Sequence, residues 1–165
     1  MKASKWIIVI LVLALFAVFA LGSGEDGTTT QGSGSAATNA EVSGEIGKYT
    51  IVIDSCRLSE TYDGKPVVIV KYVFTNVSDE NPAAFIYSFD DAVFQDGVGL
   101  NPAYVLDDGA KYSADNQTKE IKKGASLEVE VAYELNDETS DVEVEVKELF
   151  SFSEKKLTKT FSIAK

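Results

Sequence analysis

The stretch Ser126–Asn136, "SLEVEVAYELN", alternates apolar and mostly acidic residues along its whole length. Side chains of an extended strand point to opposite faces in turn. A period of two therefore puts Leu127, Val129, Val131, Tyr133 and Leu135 on one face, and Glu128, Glu130, Ala132 and Glu134 on the other. "DVEVEVKEL" (Asp141–Leu149) repeats the scheme, with Val142, Val144 and Val146 inward and Glu143, Glu145 and Lys147 outward. A helix would scatter these valines around its surface. Clean alternation predicts antiparallel sheets, packed on one face and wetted on the other.

The same period runs through the flanking sequence. "KLTKTFSIA" (Lys156–Ala164) adds a strand whose apolar positions are Leu157, Phe161 and Ile163. Upstream, "YTIVIDSCRL" (Tyr49–Leu58) and the β-branched, aromatic "KPVVIVKYVFTN" (Lys65–Asn76) read as strands, the second introduced by the turn "DGKP". "AAFIYSF" reads as a strand with Phe85, Tyr87 and Phe89 on one face, and "AVFQDG" follows it. "VGLNPAYVL" is one short strand or an irregular edge, because Pro102 cannot sit in a central strand. The total is seven or eight short strands and no convincing helix. Two such sheets packed together give an all-β, antiparallel immunoglobulin-like β-sandwich, with a small closed barrel as the alternative.

Residues 1–22 are of a different kind. Lys2 and Lys5 precede sixteen uninterrupted apolar residues, Trp6–Leu21. That is the layout of a signal peptide, or of an N-terminal membrane anchor with its lysines inside. Small residues suit cleavage after Ala20 or Gly22, and both readings export everything that follows. In "ALGS", Ser23 stands where a lipoprotein signal needs cysteine, and a hydroxyl cannot form the thioether. Residues 23–47 are rich in Gly, Ser and Thr, with Val42 and Ile46 their only large aliphatic residues, and read as a disordered linker. Residues 48–165 form the folded domain.

Composition narrows the chemistry. The chain has no histidine and carries a net charge of −11 at pH 7. Without imidazole there is no Ser-His-Asp or Cys-His catalysis and almost no zinc or copper chemistry. An acidic surface repels phosphate backbones, so nucleic acid is not an expected partner. A single cysteine, Cys56, cannot form an internal disulfide, and the folded part must live on its hydrophobic core.

"VVIVKYVFTNVSDE", "AVFQDGVGL", "IKKGASLEVEVAYELND" and "VEVEVKELFSFSEKKLTKTF" together resemble a bacterial family of exported domains of unknown function, found mainly in Gram-positive organisms. The resemblance covers roughly Tyr49–Ile163. It implies a telokin-like, immunoglobulin-type sandwich at the cell envelope, and it carries no catalytic residues to transfer. Many members are lipoproteins; Ser23 departs from that pattern.

Five features carry candidate chemistry. If the two glutamate-rich strands pair as a hairpin, Glu128, Glu130 and Glu134 face Glu143 and Glu145, a repulsion inviting a cation, Lys147 or a basic partner; in different sheets they are simply solvated. Asp90, Asp91, Asp96, Asp107 and Asp108 lie near strand ends where calcium ligands gather, though without D-x-D-x-D-G spacing. Phe85, Tyr87, Phe89 and Phe94 line a recognition groove or, more simply, the core. Cys56 beside Arg57 reads as a small buried hydrophobe rather than a reactive thiol. Asn76-Val-Ser and Asn116-Gln-Thr match glycosylation sequons.

No catalytic, cofactor or metal site is assigned. The expected function is a non-enzymatic, exported cell-envelope domain that recognises a protein or envelope component, held at the membrane by its N-terminal segment where that is uncleaved. The alternative is an extracytoplasmic module for a small ligand or a divalent cation such as calcium.

Overall fold

The computed structural model describes residues 42–105 and 112–164. The signal or anchor at 1–22, most of the linker, and Asp107 and Asp108 lie outside them. Eight strands are described: β1 (Val42–Ile46), β2 (Tyr49–Glu60), β3 (Pro66–Asn76), β4 (Phe89–Gln95), β5 (Val98–Gly99), β6 (Ser126–Glu134), β7 (Val142–Glu148) and β8 (Lys156–Phe161). They form two antiparallel four-stranded sheets, ordered β1-β2-β3-β6 and β5-β4-β7-β8. The sandwich read from alternation is the fold.

The inward rows meet as one core. Ile51, Ile53, Val68, Val70, Tyr72, Phe74 and Val129 come from the first sheet, and Phe89, Val93, Val142, Val144, Val146 and Phe161 from the second. Tyr49, Phe74, Phe85 and Phe89 add edge-to-face or tilted ring contacts at centroid distances of 5.5–6.4 Å. Such burial, worth about 25 cal/mol per Å² of apolar surface, replaces the disulfides the chain lacks.

Three local readings are corrected. The first strand, β1, lies inside the stretch read as linker. Its aliphatic Ile46 is 2% exposed, and Gly47 makes the turn into β2 at φ +60, where a Cβ would strike the Glu148 carboxylate. "AAFIYSF" is not a strand: Phe85–Ser88 is one helical turn, α1, so Phe85 and Phe89, four apart, are buried while Tyr87 is exposed. Ala132, read as outward and wetted, is 1% exposed, because residues 101–105 fold over the outer face of the first sheet. There Ala103 and Val105 cover Val67, Ile69 and Ala132.

That cover also protects an edge. β6 ends the first sheet, and an unpaired edge invites aggregation. Its outer carbonyls are taken: Glu128 by Asn116 Nδ2 (2.9 Å), Glu130 by Gln117 Nε2 (2.7 Å) and Ala132 by the Ala103 amide (2.8 Å). The Glu134 amide donates to the Asn101 carbonyl at 2.9 Å. At the opposite side β1 and β8 close the sandwich, with Gly44 against Leu157. The β6 side is where the two sheets part.

Candidate functional site

A cavity of about 500 Å³ opens between β6, β4 and the covering segments. Its lining is mostly apolar and aromatic: Phe85 and Ile86 from α1, Val93 and Phe94 from β4, Leu100, Pro102–Val105, Tyr112, and Val131–Tyr133 from β6. The volume lies within the usual range for small-molecule sites. It lies where an irregular segment, meeting β6 only through Asn101, Pro102 and Ala103, covers a strand edge that a regular strand would have filled.

Among the described residues one carboxylate faces this apolar lining. Asp91 occupies the inward row of β4, between Phe89 and Val93. Tyr133 donates its hydroxyl to Asp91 Oδ2. Burial pushes the Asp91 carboxyl above the ordinary carboxylate value, a rise that the hydrogen bond from Tyr133 opposes. Burial, and then the Asp91 charge, push both the Tyr133 and Tyr72 hydroxyls well up. Tyr72 is fully buried, and its hydroxyl is the one buried side-chain polar atom among the described residues without a hydrogen bond of good geometry. The Asp91 charge acts on it from nearby.

The other acidic candidates do not converge. Asp90 turns outward to Lys147 at 2.9 Å, and Asp96 accepts from the Ser140 hydroxyl at 3.0 Å. Among the described residues no group of three or more acidic or sulfur side chains could hold a metal ion. The glutamate hairpin does not form either. β6 and β7 lie in different sheets, and three of the five glutamates have a cation of their own. Arg57 reaches Glu130 at 2.8 Å, Lys65 reaches Glu134 at 3.3 Å, and Lys156 pairs with Glu145. These are surface ion pairs, worth little each.

Of the aromatic stripe, Phe85 and Phe89 belong to the core, Phe94 lines the cavity, and Tyr87 is exposed. Cys56 is half-buried and its thiol is pushed up to about 11 by burial, in keeping with an unreactive side chain. Asn76 is fully buried, donating to the Asn81 and Ile121 carbonyls and accepting from the Asp79 amide. Asn116 caps the β6 edge. Both sequons therefore have structural work.

A second exposed feature gave no signal in the alternation. In the loop between β7 and β8, Phe150 and Phe152 stand fully in solvent, and Phe150 holds a left-handed φ of 60. A bulky residue rarely adopts that conformation. The only clue in the sequence is "LFSFSEKK" itself, two aromatics in a polar loop.

Two antiparallel sheets with an apolar cavity at one open edge define the class: a disulfide-free β-sandwich domain. The chain belongs to the family described as "Domain of unknown function (DUF5067)", whose model matches residues 26–148, well over half of the sequence. No curated protein matches it. The fold is similar to that of a chain described as a "putative lipoprotein" from Staphylococcus aureus, at a TM-score of 0.54 and 18% identity, covering 70% of this chain and 84% of that one. It is similar also to a chain so described from Bacillus subtilis, at a TM-score of 0.54 and 15% identity. That likeness covers 75% of this chain but only 39% of the other.

Proposed function

We propose that the chain is a non-enzymatic binding module working outside the cytoplasmic membrane, and that it captures a small ligand in the cavity beside β6. The observation that carries the reading is a preformed, mainly apolar space of about 500 Å³ with one carboxylate among the described residues of its wall. Binding sites of this kind combine apolar area with a few convergent polar groups. Export is supported by the apolar run Trp6–Leu21, and by the description of both structural neighbours as lipoproteins. The sequence between that run and β1 would act as a tether or, after cleavage, as a free tail.

A fragment screen by ligand-observed NMR on the full-length chain tests the binding reading. Ile86, half-exposed at the cavity mouth, can be changed to Trp without disturbing the core. Hits on the wild type should be lost from Ile86→Trp. Hits unaffected by that change, or no hits, contradict the reading. Intact-mass measurement and fractionation test export; a full-length cytosolic chain contradicts it.

A second reading is recognition of a protein or envelope partner through the tip formed by Phe150 and Phe152. Its specific support is the full exposure of two phenylalanines, one of them in a conformation that costs energy. Changing both to Ser should abolish capture of such a partner by crosslinking on intact cells while leaving the fold unchanged. Unchanged capture contradicts this reading.

A further inference from the structure

We propose that the ligand of this cavity is a small organic cation, an apolar body carrying one amine or ammonium group that sits against Asp91; the inference rests on the binding reading given above. The inward row of β4 runs Phe89, Asp91, Val93, Gln95. Two of these are ordinary core residues. Gln95, fully buried, spends both ends of its amide on the backbone of residues 136–140. Asp91 alone brings a charge, and the protein groups that face it are neutral hydroxyls, Tyr133 bonded to its Oδ2 and Tyr72 close by.

No lysine or arginine among the described residues pairs with Asp91, although its neighbour Asp90 has Lys147. A partly buried carboxylate that no described cation pairs with is costly, and a neutral amide would serve Tyr133 as well. An incoming cation would turn that cost into attraction. The surrounding rings suit the same guest. Phe85, Phe94, Tyr104 and Tyr112 line the space, and ring faces attract cations where water is displaced. The net charge of −11 draws cations to the whole molecule and repels anions.

The test uses three probes of one shape on the purified full-length chain: 2-phenylethylamine, neutral 2-phenylethanol and anionic phenylacetate. Calorimetry at neutral pH should show the amine binding about tenfold or more tightly than the alcohol, with phenylacetate weakest. Asp91→Asn should abolish the preference between amine and alcohol. Tyr133→Phe, which keeps the carboxylate, should retain it. In the wild type the amine's affinity should fall on acidification, as Asp91 takes up a proton. Equal binding of amine and alcohol to wild type and Asp91→Asn would overturn the cation assignment while leaving the cavity a binding site. Failure of all three probes at millimolar concentration would overturn both.

Discussion

Lys159 on β8 reaches across the sandwich to the backbone of Asp54 on β2. Its ammonium donates to the Asp54 carbonyl at 2.5 Å and to the Ile53 carbonyl at 3.0 Å, and lies 4.5 Å from the Phe161 ring centre. The reason is a bulge. β2 pairs with β3 in register up to Ile53 and resumes at Ser55, so Asp54 is an extra residue. Lys159, only 6% exposed, answers carbonyls of that disrupted stretch and ties one sheet to the other. Asp54's own carboxylate goes to Lys71 at 2.8 Å.

Lys159→Met should therefore destabilise the fold by about 1–3 kcal/mol, because the lost donor leaves two carbonyls short while the stem's packing is kept. Chemical denaturation checks it. A variant as stable as the wild type would show that the bulge needs no buried cation.

Gln95 is the corresponding latch on the other sheet. Its Oε1 accepts from the Asn136 amide at 2.8 Å, and its Nε2 donates to the Asp137 and Ser140 carbonyls at 3.0 and 3.1 Å. These bonds hold the crossover from β6 to β7. Gln95→Leu, similar in size, should cost about 2–4 kcal/mol and open residues 136–140 to proteolysis. Cleavage no faster than in the wild type would contradict this.

How much of this was legible follows from what alternation can encode. The inward valines of β7, the strand character of β2 and β3, and the two-layer class come directly from a period of two. Which strands share a sheet does not. "NDETSD" permits a hairpin between β6 and β7, and only the packing of Val129 and Val144 from opposite sides shows a crossover instead. The outward Ala132 and the inward Asp91, Gln95 and Lys159 break the apolar-in, polar-out rule. Each is explained by a distant segment: the 101–105 cover, Tyr133, the 136–140 loop and the β2 bulge. A cavity formed where one cover meets one edge leaves no periodic trace.

The pH dependence of stability separates these groups. Asp91 is raised by burial, so its contribution is full below the ordinary carboxylate value and is lost as pH rises through its folded value. Tyr72, Tyr133 and Asp90 are the titratable groups acting on it. Asp54, held down chiefly by Lys71, and Asp79, held down chiefly by the Asn81 amide, behave oppositely: their contribution is lost as pH falls. Asp91→Asn should remove the decline above about pH 4 and leave the acid-side loss intact. Denaturation curves between roughly pH 3 and 8 measure it, and an unchanged profile would contradict the burial of that charge.

Cys56 should be slow to alkylate. With its thiol pushed up to about 11, the thiolate fraction at pH 8 is on the order of one in a thousand. Iodoacetamide should modify the folded chain roughly two orders of magnitude more slowly than the denatured chain. Comparable rates would mean an exposed, activated thiol.

The most direct test of the central claim, that the cavity beside β6 is where this domain binds, is an NMR map of amide shifts on adding 2-phenylethylamine. The perturbed residues should cluster at Phe85, Asp91, Val93, Leu100 and Ala132–Tyr133. Perturbation confined to the Phe150–Phe152 tip, or spread over the acidic surface with the cavity silent, would contradict it.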